Sequence, residues 1–200
     1  MKHQFVLIAL LYSITCFTQD HKHLELLEAD STWTKELIKF PLSFAPSIDY
    51  EGYEDIRFAQ NWKDPESPEF FAYAFVWNIN LEKIPTADQL ESYMTSYYDG
   101  LMTVVNKNKD MTIPNSEVDF ETNVNSTALP IFKGQMNVYD AFFTKEVISL
   151  YAKVETFYCK DQGKYILLFR IATKTFDDAV WEKLNTVQLV KGYCTKGHKD

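Results

Sequence analysis

The chain has 200 residues, 46% of them hydrophobic and 16% aromatic, and a formal net charge of -8. That balance suits one folded domain with a full core and is too acidic for nonspecific nucleic-acid binding. The aromatic excess is read first as core, with a sugar-stacking platform or a protein interface as alternatives.

The N-terminus reads as a secretory signal peptide over residues 1–18. Basic Lys2 precedes the apolar run Phe5 to Tyr12, and small or polar residues follow. The run is far short of the ~20 apolar residues of a spanning helix, and no later segment qualifies, so no integral membrane span is expected. Cleavage after Thr18 would leave Gln19 first. A lipoprotein anchored at Cys16 is the competing reading, through Ser13-Ile14-Thr15-Cys16. The mature protein is therefore expected to be exported, periplasmic or extracellular. Residues 19–32 (QDHKHLELLEADST) read as a loose arm, and 33–200 as a single domain.

Trp33 to Phe40 and the FPLSFAP segment read as extended, because Pro41 and Pro46 forbid a long helix. Asp55 to Asn61 reads as a strand with Ile56 and Phe58 on one face and Asp55 and Arg57 on the other. After a Pro-rich turn, Phe70 to Ile79 is apolar on both faces, as a central strand should be. Ala72 and Ala74 leave room for another layer, while Phe71, Tyr73, Phe75 and Trp77 crowd the opposite face.

Thr86 and Gln89 form a capping-box pattern that opens a helix. Leu90, Tyr93, Met94, Tyr97, Leu101, Val104 and Val105 make its apolar stripe, read as core rather than a cofactor slot. Glu117 to Val124 alternates cleanly, which predicts an edge or half-exposed strand. Strands follow at about 131–143, 146–158 and 164–172, the last two joined by the turn Lys160-Asp161-Gln162-Gly163. Asp177 is expected to cap a final helix that turns Val180, Trp181, Leu184 and Val187 inward and ends near 191. The order predicts an α+β fold, an antiparallel sheet with packed helices.

With Cys16 removed, Cys159 and Cys194 remain, and two cysteines in an exported chain predict one disulfide. Topology agrees: a strand ends at Cys159, its partner runs away, and the last helix returns toward that end.

Histidine falls only at positions 3, 21, 23 and 198, near the termini, so Ser-His, Cys-His and His-rich zinc chemistry lack their central residue. Phosphate-loop and dinucleotide glycine patterns are absent, and no metal or cofactor is expected. Asn125-Ser126-Thr127 fits a glycosylation acceptor, relevant only in a eukaryotic secretory pathway. Arginine occurs only at 57 and 170, both inside apolar strands of a chain that otherwise uses Lys. A planar, always-charged fork is wanted there. Asp55 shares a face with Arg57, and Asp140 and Arg170 are candidate members of the same polar cluster. Three readings stay open. The first is a structural ion-pair network. The second is an anion or sugar site lined by Tyr50, Tyr53 and Trp62. The third is an acid/base carboxylate pair drawn from Glu51, Glu54 and Asp55. The expected role is an exported, non-catalytic binding or accessory domain for a small anion, a glycan or a protein partner. A carboxylate-based hydrolase acting on glycans is the alternative.

The stretches FPLSFAPSIDYEGYEDIRFAQNW, SPEFFAYAFVWNI and YDAFFTKEVISL, with Trp181 and Leu184, resemble a group of uncharacterised exported bacterial proteins. That resemblance implies export and one continuous domain, and no reaction. Gly163-Lys164-Tyr165 followed by Asp177 to Trp181 resembles, at fold level, the Mog1/PsbP-like sandwich, which implies an α/β/α arrangement and carries no function.

Overall fold

A computed structural model describes residues 25–107, 110–123 and 129–194. The expected signal peptide with Cys16, residues 19–24 of the expected arm with His21 and His23, the Asn125 acceptor and His198 lie outside the described residues; the rest of that arm is described, and its Leu26 and Leu27 are buried. The elements are β1 (Leu27–Glu28), β2 (Thr34–Phe40), β3 (Gly52–Phe58), β4 (Tyr73–Leu81), α1 (Ala87–Val105), β5 (Glu117–Asn123), β6 (Ile131–Tyr139), β7 (Val147–Cys159), β8 (Lys164–Ala172), α2 (Val180–Asn185) and β9 (Gln188–Leu189).

Seven strands form one antiparallel sheet in the order β2-β3-β4-β8-β7-β6-β5, and β1 pairs with β9 separately. β4 and β8 lie side by side in the middle, with side chains buried on both faces, which is why they read as unbroken apolar runs. β5 lies at an edge with its alternate residues exposed. The turn between β7 and β8 is closed by Gly163, whose amide donates to the Cys159 carbonyl at 2.8 Å and whose φ is +67°. That left-handed backbone suits glycine.

The two faces carry different cores. On one, α1 buries Leu90, Met94, Tyr97, Tyr98 and Met102 against Phe75, Trp77, Phe169, Met136 and Leu150. On the other, Leu26, Leu27, Trp33 and the α2 residues Val180, Trp181 and Leu184 cover Ala74, Val76, Ile166 and Leu168. Ala72 and Ala74 do sit under this second layer, and Tyr73, Phe75 and Trp77 fill the first. α1 opens with the expected capping box: Gln89 N donates to Thr86 Oγ1 at 3.2 Å, and Thr86 N donates to Gln89 Oε1 at 3.0 Å. Gly100 marks where α1 meets the Leu42–Ala45 segment, since a Cβ there would lie 1.8 Å from the Phe44 carbonyl oxygen. Among the described residues no helix is long and apolar enough to cross a membrane.

Several boundaries differ from expectation. β3 starts at Gly52 and ends at Phe58, because Ala59 turns to donate to the Ala72 carbonyl. β6 ends at Tyr139, where Asp140 reverses the chain. Val104 belongs to the predicted stripe yet is 64% exposed, while Tyr98 and Met102 are buried in its place. Asp177 does not cap α2: its carboxylate takes the Thr175 hydroxyl at 2.5 Å, and Asp178 receives the Val180 amide at 2.9 Å. α2 stops at Asn185 because the next residues pair with β1, as Leu27 opposes Leu189.

The chain after α2 still returns to the end of β7. Cys159 and Cys194 are paired, with their Cα atoms 5.1 Å apart across a sequence separation of 35. Closing such a loop stabilises a fold by about 4 kcal/mol in the chain-entropy model. Thiol titration of unreduced, denatured protein from an oxidising compartment is expected to find no free thiol from these two. Two titratable thiols would refute the bridge.

Candidate functional site

Asp55 and Arg57 lie on the face away from α1 and are almost wholly buried. The Asp55 carboxylate accepts the Leu26 and Leu27 amides at 2.7 and 3.0 Å and contacts Arg57 Nη1. Arg57 donates to the carbonyls of Ile56 at 2.8 Å and Leu27 at 2.7 Å, and Nη2 reaches Glu25 at 3.3 Å. The charges in this apolar strand thus answer each other and fasten residues 25–27 to the sheet. Arg170 does the same for α2. Its Nε donates to the Leu184 carbonyl at 3.0 Å, Nη2 donates to Val187 at 2.8 Å, and Nη1 pairs with Glu155. A guanidinium suits a cluster of helix-end carbonyls.

Asp140 joins neither cluster, contrary to expectation. It caps its own loop, accepting the amides of Phe142 at 2.8 Å and Thr144 at 2.7 Å and the Thr144 hydroxyl at 2.9 Å. Tyr50 does not converge on Arg57 either, whereas Tyr53 shares the Arg57 face of the sheet, where burial and, less strongly, the Asp55 charge raise its phenol. Tyr50 meets the Tyr93 hydroxyl at 2.8 Å beside the start of α1, on the other face.

Two concavities lie on the α1 face, a shallow polar hollow of about 630 Å³ beside Tyr50 and Tyr93 and a smaller one with mostly apolar walls. The smaller, a cavity of about 290 Å³, opens between the C-terminal half of α1 and β2, β3 and β4. Tyr97, Tyr98, Leu101, Met102 and Val105 come from α1, Glu36 and Ile38 from β2, and Ile56 and Phe58 from β3. Tyr73, at the start of β4, completes the floor, and its hydroxyl contacts that of Tyr98. Trp62, Phe71 and Phe142 enter from loops. Trp62 stacks on Phe58 with ring centroids 4.3 Å apart and meets the Phe71 ring edge-on. Phe71 holds φ at +53°, uncommon for a non-glycine residue. Its amide donates to the Trp62 carbonyl at 3.0 Å, which fixes the turn. Phe142 is carried by the loop that Asp140 caps, and the neighbouring Phe143 packs on Trp62 and Phe71.

Glu54 stands behind this cavity. It is fully buried on the α1 face and accepts the Trp77 indole N–H at 2.7 Å and the Tyr97 hydroxyl at 2.9 Å. Burial pushes its carboxyl up to about 7 despite these two donors, with the Glu36 and Asp55 charges adding to the rise. Burial also raises the Tyr97 and Tyr73 phenols well above their ordinary value. Glu54 and Asp55 are adjacent on a strand and open to opposite faces of the sheet, so they cannot flank one glycosidic bond. Among the described residues no group of three or more His, Cys, Asp or Glu is gathered to hold a metal.

Of the residues singled out in the sequence, Trp62 lines the cavity and Asp140 shapes its rim. Asp55, Arg57, Tyr53 and Arg170 lie on the other face of the sheet. Sequence reasoning missed Glu36, Tyr98 and Phe142. The usable signal was the cluster of tyrosines at 93, 97 and 98, more phenol than a plain core stripe requires. Comparisons with family models, curated proteins and solved structures returned no match.

Proposed function

We propose that this is an exported binding or accessory domain whose ligand is a small hydrophobic molecule held between α1 and β2–β4. The cavity carries the reading: its walls are mostly aromatic and aliphatic, as in small-molecule sites. The volume of about 290 Å³ is roughly twice that of an apolar cavity known to hold benzene, so the body that fits is about two fused rings. The proposal moves the ligand away from the Arg57 face, where Nη1 and Nη2 are engaged by Asp55, Glu25 and the Ile56 and Leu27 carbonyls and the buried Nε is left without a partner among the described residues. Export rests on the N-terminal pattern and the Cys159–Cys194 pair, and the Mog1/PsbP-like likeness adds no ligand.

A hydrolase acting on glycans has one observation in its favour, the raised Glu54 carboxyl, but Glu54 is fully buried against Trp77 and Tyr97 and does not line the cavity at whose mouth Glu36 stands. Calorimetric titration with naphthylmethanol tests the binding reading. Saturable binding is expected, and Leu101→Trp, which places an indole in the cavity, should weaken it by at least about tenfold while the protein still melts cooperatively. Equal binding by both proteins would place the probe elsewhere, and no binding by the unsubstituted protein would overturn the proposal.

A further inference from the structure

We propose that the ligand of this cavity is a hydrophobic amine, its apolar body under α1 and its cationic group beside Glu36. This rests on the binding reading above. Glu36 is the one charged residue of the lining, and no Lys or Arg lines it. β2 alternation sends Glu36 to the α1 side with Ile38, whereas Lys35 turns to the other face and meets Glu25 at 2.6 Å. The Glu36 carboxylate stands exposed at the mouth, free to meet an incoming cation without being desolvated first.

The deeper polar groups favour the same sign. Tyr97 lines the cavity with its ring, and its hydroxyl is engaged with Glu54. Glu54 puts a second carboxyl behind that wall. A carboxylate ligand would meet the acidic Glu36 and could draw on one hydroxyl proton left over by the Tyr73–Tyr98 pair, whereas an ammonium would meet a carboxylate and π faces. The rim already tolerates a cation: Lys63 Nζ lies 5.3 Å from the Trp62 ring centroid without lining the cavity.

Three probes of one shape separate the terms: naphthylmethylamine, naphthylmethanol and naphthoate, titrated at low salt into the unsubstituted protein and Glu36→Gln. The amine is expected to bind about tenfold more tightly than the alcohol, and naphthoate most weakly. Glu36→Gln should weaken the amine by about threefold and the alcohol by less, and added salt should erode the amine's advantage. Equal binding of amine and alcohol, with no effect of Glu36→Gln, would overturn the amine and leave the hydrophobic site standing. Tighter binding of naphthoate would also overturn it and point to Lys63 as the selecting charge. Failure of all three probes would remove the site itself.

Discussion

Arg57→Ala is expected to destabilise the domain by about 3–5 kcal/mol, the usual cost of removing one partner from a buried ion pair. Asp55 would be left at zero exposure without its cation, and the Leu27 and Ile56 carbonyls would lose their guanidinium donor. Arg57→Lys should recover only part of the loss, because one ammonium cannot reach Asp55, Ile56, Leu27 and Glu25 from a single plane. The measurement is the urea midpoint at constant m-value. Limited proteolysis adds a readout specific to the strap, since residues 25–33 should become cleavable before the sheet does. Naphthylmethanol binding to the folded fraction should persist, because Arg57 lies on the opposite face from the cavity. An unchanged midpoint would refute the fastening role, and lost binding at full folding would return the ligand to the Arg57 face.

Which parts of this architecture could be read in advance follows from where each determinant resides. The unbroken apolar run around Phe75 and Trp77 places β4 inside the sheet, because a strand covered on both faces has no polar alternation. The alternation from Glu117 to Asn123 places β5 at an edge for the converse reason. Thr86 and Gln89 determine the start of α1 through bonds three residues apart. The end of α2 was not legible, since it depends on pairing of Leu189 with Leu27, more than 150 positions away in the chain. Asp55 was legible as a partner of Arg57 from their shared strand face, but the backbone partners of Arg57 and Arg170 were hidden. Both guanidinium groups bind backbone carbonyls, and a carbonyl has no side-chain signature. Asp140 resembled a buried counter-ion by its apolar neighbours, yet its acceptors are filled by amides two to four residues ahead. The cavity itself is a spacing left between α1 and three strands, and no local pattern encodes a gap.

Raising the pH from 5 to 8 is expected to destabilise the domain through Glu54. Its carboxyl titrates near 4.5 when unfolded and near 7 when folded. Below 4.5 both states hold the proton and the group has no effect. Between 4.5 and about 7 the folded state retains a proton that the unfolded state has released, so stability falls as pH rises; above 7 the loss is complete. At about 1.4 kcal/mol per pH unit the full loss is about 3 kcal/mol. The lowered carboxyls of Glu25 and Glu69 act in the opposite sense and in a different window, contributing stability that is lost only as pH falls below their unfolded values. Glu54→Gln should abolish the slope between 5 and 8. Its amide oxygen can accept the Trp77 indole N–H while its NH2 donates to the Tyr97 oxygen, so both neighbours keep a partner. The variant should be close to the unsubstituted protein at pH 5 and more stable at pH 8, and the comparison cancels histidines common to both chains. Urea midpoints at the two pH values decide it. Parallel slopes in the two proteins would mean that Glu54 ionises as readily folded as unfolded, and that burial beside Tyr97 and Trp77 does not hold its proton.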